Sequence, residues 1–93
     1  MDIQHEDDGK KGHFYIEHEG KEVAGMYYVW AAEKMIIEHT DVDEAFNGRG
    51  LGKQLLKAVV DYVRAHPPVK VLPLCPFAKS VFDKMPEYGD VLV

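Results

Sequence analysis

Apolar residues alternate with polar ones in the first half of the chain and recur at helical spacing in the second. Residues 13–18, HFYIEH, set Phe14 and Ile16 between more polar neighbours. EGKE follows as a glycine-containing turn, and residues 22–31, EVAGMYYVWA, resume a composition rich in β-branched and aromatic side chains. Such side chains pack well on a pleated, half-buried surface, so the two segments predict a β-hairpin. Residues 35–42, MIIEHTDV, predict a third antiparallel strand beside the second. Residues 1–12 are acidic and aperiodic, and read as a loose, flexible lead-in.

From Leu51 the period changes. Leu51, Leu55, Leu56, Val59, Val60 and Val63 share one helical face, while Lys53, Lys57, Asp61 and Arg64 fall on the other. The helix must end near His66, because Pro67-Pro68 cannot continue it and a residue before proline avoids helical dihedrals. Residues 69–75, VKVLPLC, predict a short buried strand. Strand, helix, strand in this order implies a right-handed crossover, with segments 35–42 and 69–74 parallel. A second helix is expected over 77–84, stopped by Pro86, and YGDVLV closes the chain as a candidate last strand. The expected class is α+β: a compact, mostly antiparallel sheet with one parallel βαβ crossover and a C-terminal helix.

Composition narrows the partners. Ninety-three residues with 46% hydrophobic content suffice for one modest core, burying roughly 60–68% of the unfolded surface, and no composition shift divides residues 1–93 into domains. A net charge of -5 opposes a nucleic-acid role, which needs a basic stripe to displace counterions. Cys75 is the only cysteine, so neither an internal disulfide nor a thiolate zinc site is available, and a reducing cytoplasm fits best. The amino-terminal residues lack the apolar core of a signal peptide, and no apolar run approaches the roughly 18 residues of a membrane span. The acidic groups Glu6-Asp7-Asp8 and Asp41, Asp43, Glu44 show no ordered ligand pattern, so no metal is expected.

The stretch Asn47-Gly48-Arg49-Gly50-Leu51-Gly52-Lys53 then stands out. Glycine at a helix start costs up to about 1 kcal/mol relative to alanine, so three of them answer a requirement that side chains would obstruct. One such requirement is the close approach of an anion to the free amides of a first helical turn, with Arg49 and Lys53 adding charge nearby. The other is a tight strand-to-helix connection. A dinucleotide fingerprint starting at Gly48 would need glycine at position 53, which is Lys53. A P-loop ending at Gly52-Lys53 would need glycine at 47 and Ser or Thr at 54, which are Asn47 and Gln54.

The turn resembles the acetyl-CoA loop of the GNAT acetyltransferase superfamily, Gln or Arg followed by x-x-Gly-x-Gly/Ala between a strand and an amphipathic helix; Asn47 departs from its first position. More specifically, the EHT stretch at 38–40, the glycine turn, the P-x-C-x-F stretch at 73–77 and PEY at 86–88 are similar at their mutual spacing to the small single-domain GNAT-like acetyltransferase family, over residues 13–92. The resemblance implies that CoA pantetheine lies between splayed parallel strands against the amides of Thr40, Asp41, Val42 and Asp43. It further implies that the diphosphate sits on the amides of residues 48–53, from Gly48, Arg49 and Gly50 to Leu51, Gly52 and Lys53, next to Asn47. Phe77 or Lys79 would touch the adenosine end.

Acetyl transfer to an amine needs the nitrogen unprotonated, the thioester carbonyl polarised and the departing thiolate stabilised. Among the five histidines, His39 at the end of the third strand is the best general-base candidate. Glu38 would point to the opposite face of a regular strand. Cys75, just ahead of a helix, is either a small buried hydrophobe or a thiol activated by the helix dipole that accepts the acetyl group with His39 assisting. Three functions follow. The first is an acetyl-CoA-dependent N-acetyltransferase acting on an unknown amine, as monomer or weak homodimer. The second is an acyl-CoA-binding module with little transferase activity, and the third an interaction domain using an exposed hairpin edge. Catalysis gains if His39 and Cys75 face one thioester; binding alone gains if Cys75 points into the core and His39 into solvent.

Overall fold

A computed structural model of the chain describes residues 2–93. Five strands form one sheet in the order β1 (Ile3–Asp7), β2 (Lys11–His18), β3 (Lys21–Ala31), β4 (Lys34–Val42) and β5 (Lys70–Pro73). The first four pair antiparallel, and β5 joins β4 in parallel. The helix α1 (Leu51–Ala65) makes the crossover between β4 and β5, and α2 (Pro76–Lys84) follows β5. This is the expected α+β arrangement, with a parallel pair added to an antiparallel sheet. No helix among the described residues is long and apolar enough to cross a membrane.

The lead-in expectation is corrected. Residues 3–7 are an edge strand, with Ile3 opposite Ile16 and Asp7 opposite Gly12; Met1 of the expected lead-in lies outside the described residues. Its polar residues are ordered by aromatic partners on β2 and β3. Tyr28 and the Trp30 indole both donate to Asp7 Oδ2, at 2.6 and 2.7 Å, and the Tyr15 hydroxyl donates to Glu6 at 2.7 Å. Because the Tyr28 proton goes to Asp7, His5 Nε2–H is the donor in the 2.6 Å contact with the Tyr28 oxygen. Burial opposes the charged forms of both His5 and Asp7, but the hydrogen bonds from Tyr28, Trp30 and the Gly9 N–H hold the Asp7 carboxyl below its usual range. The candidate last strand is also corrected: residues 86–91 form a 3₁₀ turn, and only Leu92 makes an isolated parallel bridge, to Val71.

All six apolar residues predicted on the inner face of α1 are buried there, together with Gly52. They pack on Phe14, Ile16, Met26 and Tyr28 of the sheet, and Ala78, Val81 and Phe82 of α2 join the same core. Burying each Leu or Val removes enough apolar surface to contribute about 1.5–3 kcal/mol, and this fixes α1 on one face of the sheet. Tyr15 and Tyr27 do not belong to that core; they lie on the other, outer face.

Candidate functional site

β4 and β5 stay paired for four residues, from Lys34 with Lys70 to Ile37 with Pro73. Beyond that point the strands part. The Leu74 and Cys75 amides both donate to the Ile37 carbonyl, at 3.0 and 2.9 Å, and β4 runs on to Val42 with a neighbour only on its β3 side. The Asp43 N–H donates to the Val23 carbonyl at 2.8 Å. Alternation then turns the backbone of Asp41 toward β3 as well, and leaves the amide and carbonyl of Thr40 and Val42 facing the open fork.

At the head of α1 the glycines meet two separate demands. Gly48 and Gly50 have φ of 79° and 73°, the left-handed region where an L side chain costs about 1–2 kcal/mol. A Cβ at either would meet no atom within 4 Å. Gly52 has ordinary dihedrals, but a Cβ there would lie 2.6 Å from the Phe77 ring, so this glycine lets α1 approach α2. The N-cap of α1 is Gly50, with no side-chain cap. A Ser, Thr, Asp or Asn cap is worth typically about 1 kcal/mol, and its omission leaves donors exposed. Among the described residues, the amides of 48–53 have no acceptor; the first to be satisfied is Gln54, bonded to the Gly50 carbonyl at 3.0 Å.

These amides border a hollow of about 440 Å³. Thr40, Val42, Asn47, Gly48, Gly50, Leu51, Gly52, Lys53 and Phe77 all line it, as does Phe46. Phe46 was not singled out from sequence, since a lone aromatic in a polar connection carries no periodic signal. Four expected binding residues do not line it. Asp41 faces His39, and Asp43 caps the 3₁₀ turn 44–46 through the Ala45 N–H while pairing with Lys21 at 3.3 Å. These bonds, the Ala45 amide foremost, hold the Asp43 carboxyl below its usual range. The Arg49 guanidinium lies over the Phe46 ring, 4.9 Å from its centre, and Lys79 projects from the exposed side of α2. The residues present fit a diphosphate-bearing cofactor: unpaired donors converge at a helix N-terminus, open space covers two glycines, and Lys53 supplies charge.

His39 and Cys75 each stand two residues past the last β4–β5 pair, on either side of the fork. Their side chains are not brought together. Cys75 is only 4% exposed and its sulfur lies 3.2 Å from the Thr40 hydroxyl, on the helix face. The His39 side chain is 59% exposed on the outer face, with Nε2 2.7 Å from Asp41. The expectation of a shared His–Cys pocket is therefore corrected: adjacent strand residues point to opposite faces, and Thr40 claims the thiol while His39 turns away.

The expectation for Glu38 also changes, because β4 is not regular there. The register shifts from Tyr28 opposite Ile37 to Tyr27 opposite His39, leaving Glu38 as the extra residue of a bulge. The bulge puts Glu38 and His39 on the same outer face. Register aligns Glu6, His13, Tyr27 and His39 in one row across four strands. The His13 ring is stacked between Tyr15 and Tyr27, 4.4 and 4.8 Å from their centres, and Nε2 lies 3.3 Å from Glu22. The Tyr27 hydroxyl donates to the same Glu22 carboxylate. Burial, then that carboxylate, pushes the Tyr27 phenol up to about 12. The hydrogen bond to Glu6, then burial, pushes Tyr15 up to about 12 as well. Both therefore stay neutral at physiological pH.

The profile of the GCN5-related N-acetyl-transferase family matches residues 13–91. Protein NATD1 of Xenopus tropicalis is 36% identical over 63 residues, covering 66% of this chain and 58% of that protein; the human protein of the same name is 32% identical over 63 residues, with coverages of 66% and 56%. The chain thus spans little more than half the length of these curated relatives. A GCN5-like protein of Staphylococcus aureus superimposes with a TM-score of 0.73 at 34% identity, covering 97% of this chain and 87% of that one. The ribosomal-protein-S18-alanine N-acetyltransferase of Escherichia coli shares the fold alone, with a TM-score of 0.69 at 16% identity over 85% of this chain and 54% of that one. Sequence profile and architecture agree: the chain belongs to the GCN5-related N-acetyltransferase family.

Proposed function

We propose that this protein is an acetyl-CoA-dependent N-acetyltransferase, with the donor held on the helix side of β4 and the amine presented from the outer side. The observation that carries the reading is the row of acceptor-less amides at 48–53, opening on the same hollow as the free edge of Thr40 and Val42. Acetyl-CoA supplies an activated acyl thioester. The amides of 48–53 and Lys53 neutralise its diphosphate, and the backbone of Thr40 and Val42 offers an unused strand edge for its amide-bearing arm.

On the outer side His39, oriented by Asp41, accepts a proton from the incoming ammonium, and Glu38 beside it holds the positive charge until then. The nitrogen then replaces sulfur at the acyl carbon, and a second proton leaves with the sulfur as a thiol. Burial of Cys75 behind Thr40 favours direct transfer over an acetyl-cysteine route. The test is incubation with acetyl-CoA and an amine, followed by measurement of free thiol, acetylated amine and intact protein mass. Direct transfer predicts acetylated amine, an unmodified protein, full activity in Cys75→Ala and a large loss in His39→Ala. An acetyl adduct missing only from Cys75→Ala would replace the direct route with a covalent one.

A second reading, an acyl-CoA-binding module with little turnover, is favoured by the separation of His39 from Cys75. Tight acetyl-CoA binding with no transfer to any amine, in the wild type and both variants alike, would establish it.

A further inference from the structure

A second hollow, of about 700 Å³, exceeds the one of about 440 Å³ at the glycine turn. It opens along β1–β3 and reaches Glu38 at the β4 bulge, with Tyr27 and His13 in its wall. Its lining carries the acidic residues Glu6, Asp7, Asp8 and Glu38 with the basic residues His5, His13 and Lys11, and the Asp7 carboxylate is turned to Tyr28 and Trp30. Three of these carboxylates already have protein donors, Tyr15 on Glu6, Tyr28 and Trp30 on Asp7, and backbone amides on Asp8. Glu38 has no hydrogen-bond or ion-pair partner among the described residues. The wall beside it includes His13 and Tyr27, whose stack continues to Tyr15, and the two tyrosine hydroxyls donate to Glu22 and Glu6. Carboxylates behind tyrosine rings make the ring faces more negative, and such faces attract ammonium groups while accommodating methylene chains. The two sides of β4 therefore carry opposite polarity, donors with Lys53 on one and carboxylates with aromatic faces on the other.

We infer that this outer hollow binds the acetyl acceptor, and that the acceptor is an aliphatic polyamine with at least two positive charges. One ammonium group meets Glu38 next to His39, and the methylene chain with a second ammonium lies along Tyr27 and His13 toward Glu6. This inference rests on the transferase reading above, and it adds the class of amine. A neutral or acidic acceptor would leave Glu38 unpaired and face repulsion from the remaining carboxylates.

The experiment is an amide-resolved NMR titration of the full chain with spermidine, butylamine and 1,8-octanediol in parallel, with calorimetric acetyl-CoA binding and acetyl transfer measured on the same preparation. Spermidine is expected to shift His13, Tyr27 and Glu38, and to bind about tenfold more tightly than butylamine. Its affinity should fall several-fold between about 0.05 and about 0.5 M salt. Glu38→Gln should weaken spermidine about tenfold and leave acetyl-CoA binding unchanged. Octanediol producing the same shifts, or spermidine leaving the outer face unmoved while acetyl-CoA binds, would overturn the polyamine assignment and leave the transferase reading standing. Spermidine binding at the outer face without any acetyl-CoA binding would overturn the transferase reading, and the acceptor role with it.

Discussion

On the helix side of β4, the proposed donor site draws on backbone: unpaired amides at 48–53, a free strand edge at Thr40 and Val42, and glycines that leave space above them. On the outer side, the proposed acceptor site draws on side chains, with Glu38 and His39 placed together by a bulge beside an aromatic stack hydrogen-bonded to carboxylates. Backbone recognition depends on conformation, so it tolerates exchange of Arg49 or Asn47 but not loss of the turn. Side-chain recognition depends on identity. Substitutions should therefore separate into those that abolish donor binding by reshaping the main chain and those that alter acceptor chemistry with donor binding intact.

The largest expected effect is at Gly52. Valine there drives side-chain atoms into the Phe77 ring, which should cost about 1–3 kcal/mol of stability and reduce acetyl-CoA affinity about 100-fold, equivalent to about 2.7 kcal/mol. Adding Phe77→Ala should recover stability in urea unfolding if the clash is the cause. His39→Ala should lower kcat by about 100-fold while the acetyl-CoA Kd stays within about twofold in calorimetry. Equal losses in both quantities would erase the division between the two faces.

Gly50→Ala comes next. The left-handed dihedrals at that cap should cost about 1–2 kcal/mol, read as a lower urea midpoint with unchanged m-value, although the space around its Cβ is open. The smallest effect concerns alkaline pH. Tyr27 keeps its proton in the fold to a higher pH than in the unfolded chain, so the unfolded state releases it first and stability falls as pH rises from about 10 through about 12. Tyr27→Phe should flatten that part of the pH–stability curve, measured by chemical unfolding.

Much of this was legible in the chain. The spacing Leu51, Leu55, Leu56, Val59, Val60 and Val63 announces α1, and the glycines announce an uncapped helix start, because periodicity and helix-start chemistry are local properties. β1 was not legible, since IQHED looks like solvated chain until Tyr15, Tyr28 and Trp30 supply partners from other strands. The bulge at Glu38 was hidden for a similar reason: it exists only in the register between β3 and β4. That one unpaired residue separates an alternating strand, with Glu38 and His39 on opposite faces, from one that presents both on the same outer face. For Gly52 the sequence left ligand approach and a tight connection both open; the close contact that a side chain there would meet is with Phe77, twenty-five residues later in the chain.

The donor site is tested most directly by titrating the ¹⁵N-labelled protein with acetyl-CoA and following each backbone amide. The account predicts saturable shifts at residues 48–53, joined by Thr40 and Val42, with His13 and Tyr27 unmoved. Binding that leaves 48–53 unshifted, or no binding at all, would contradict it.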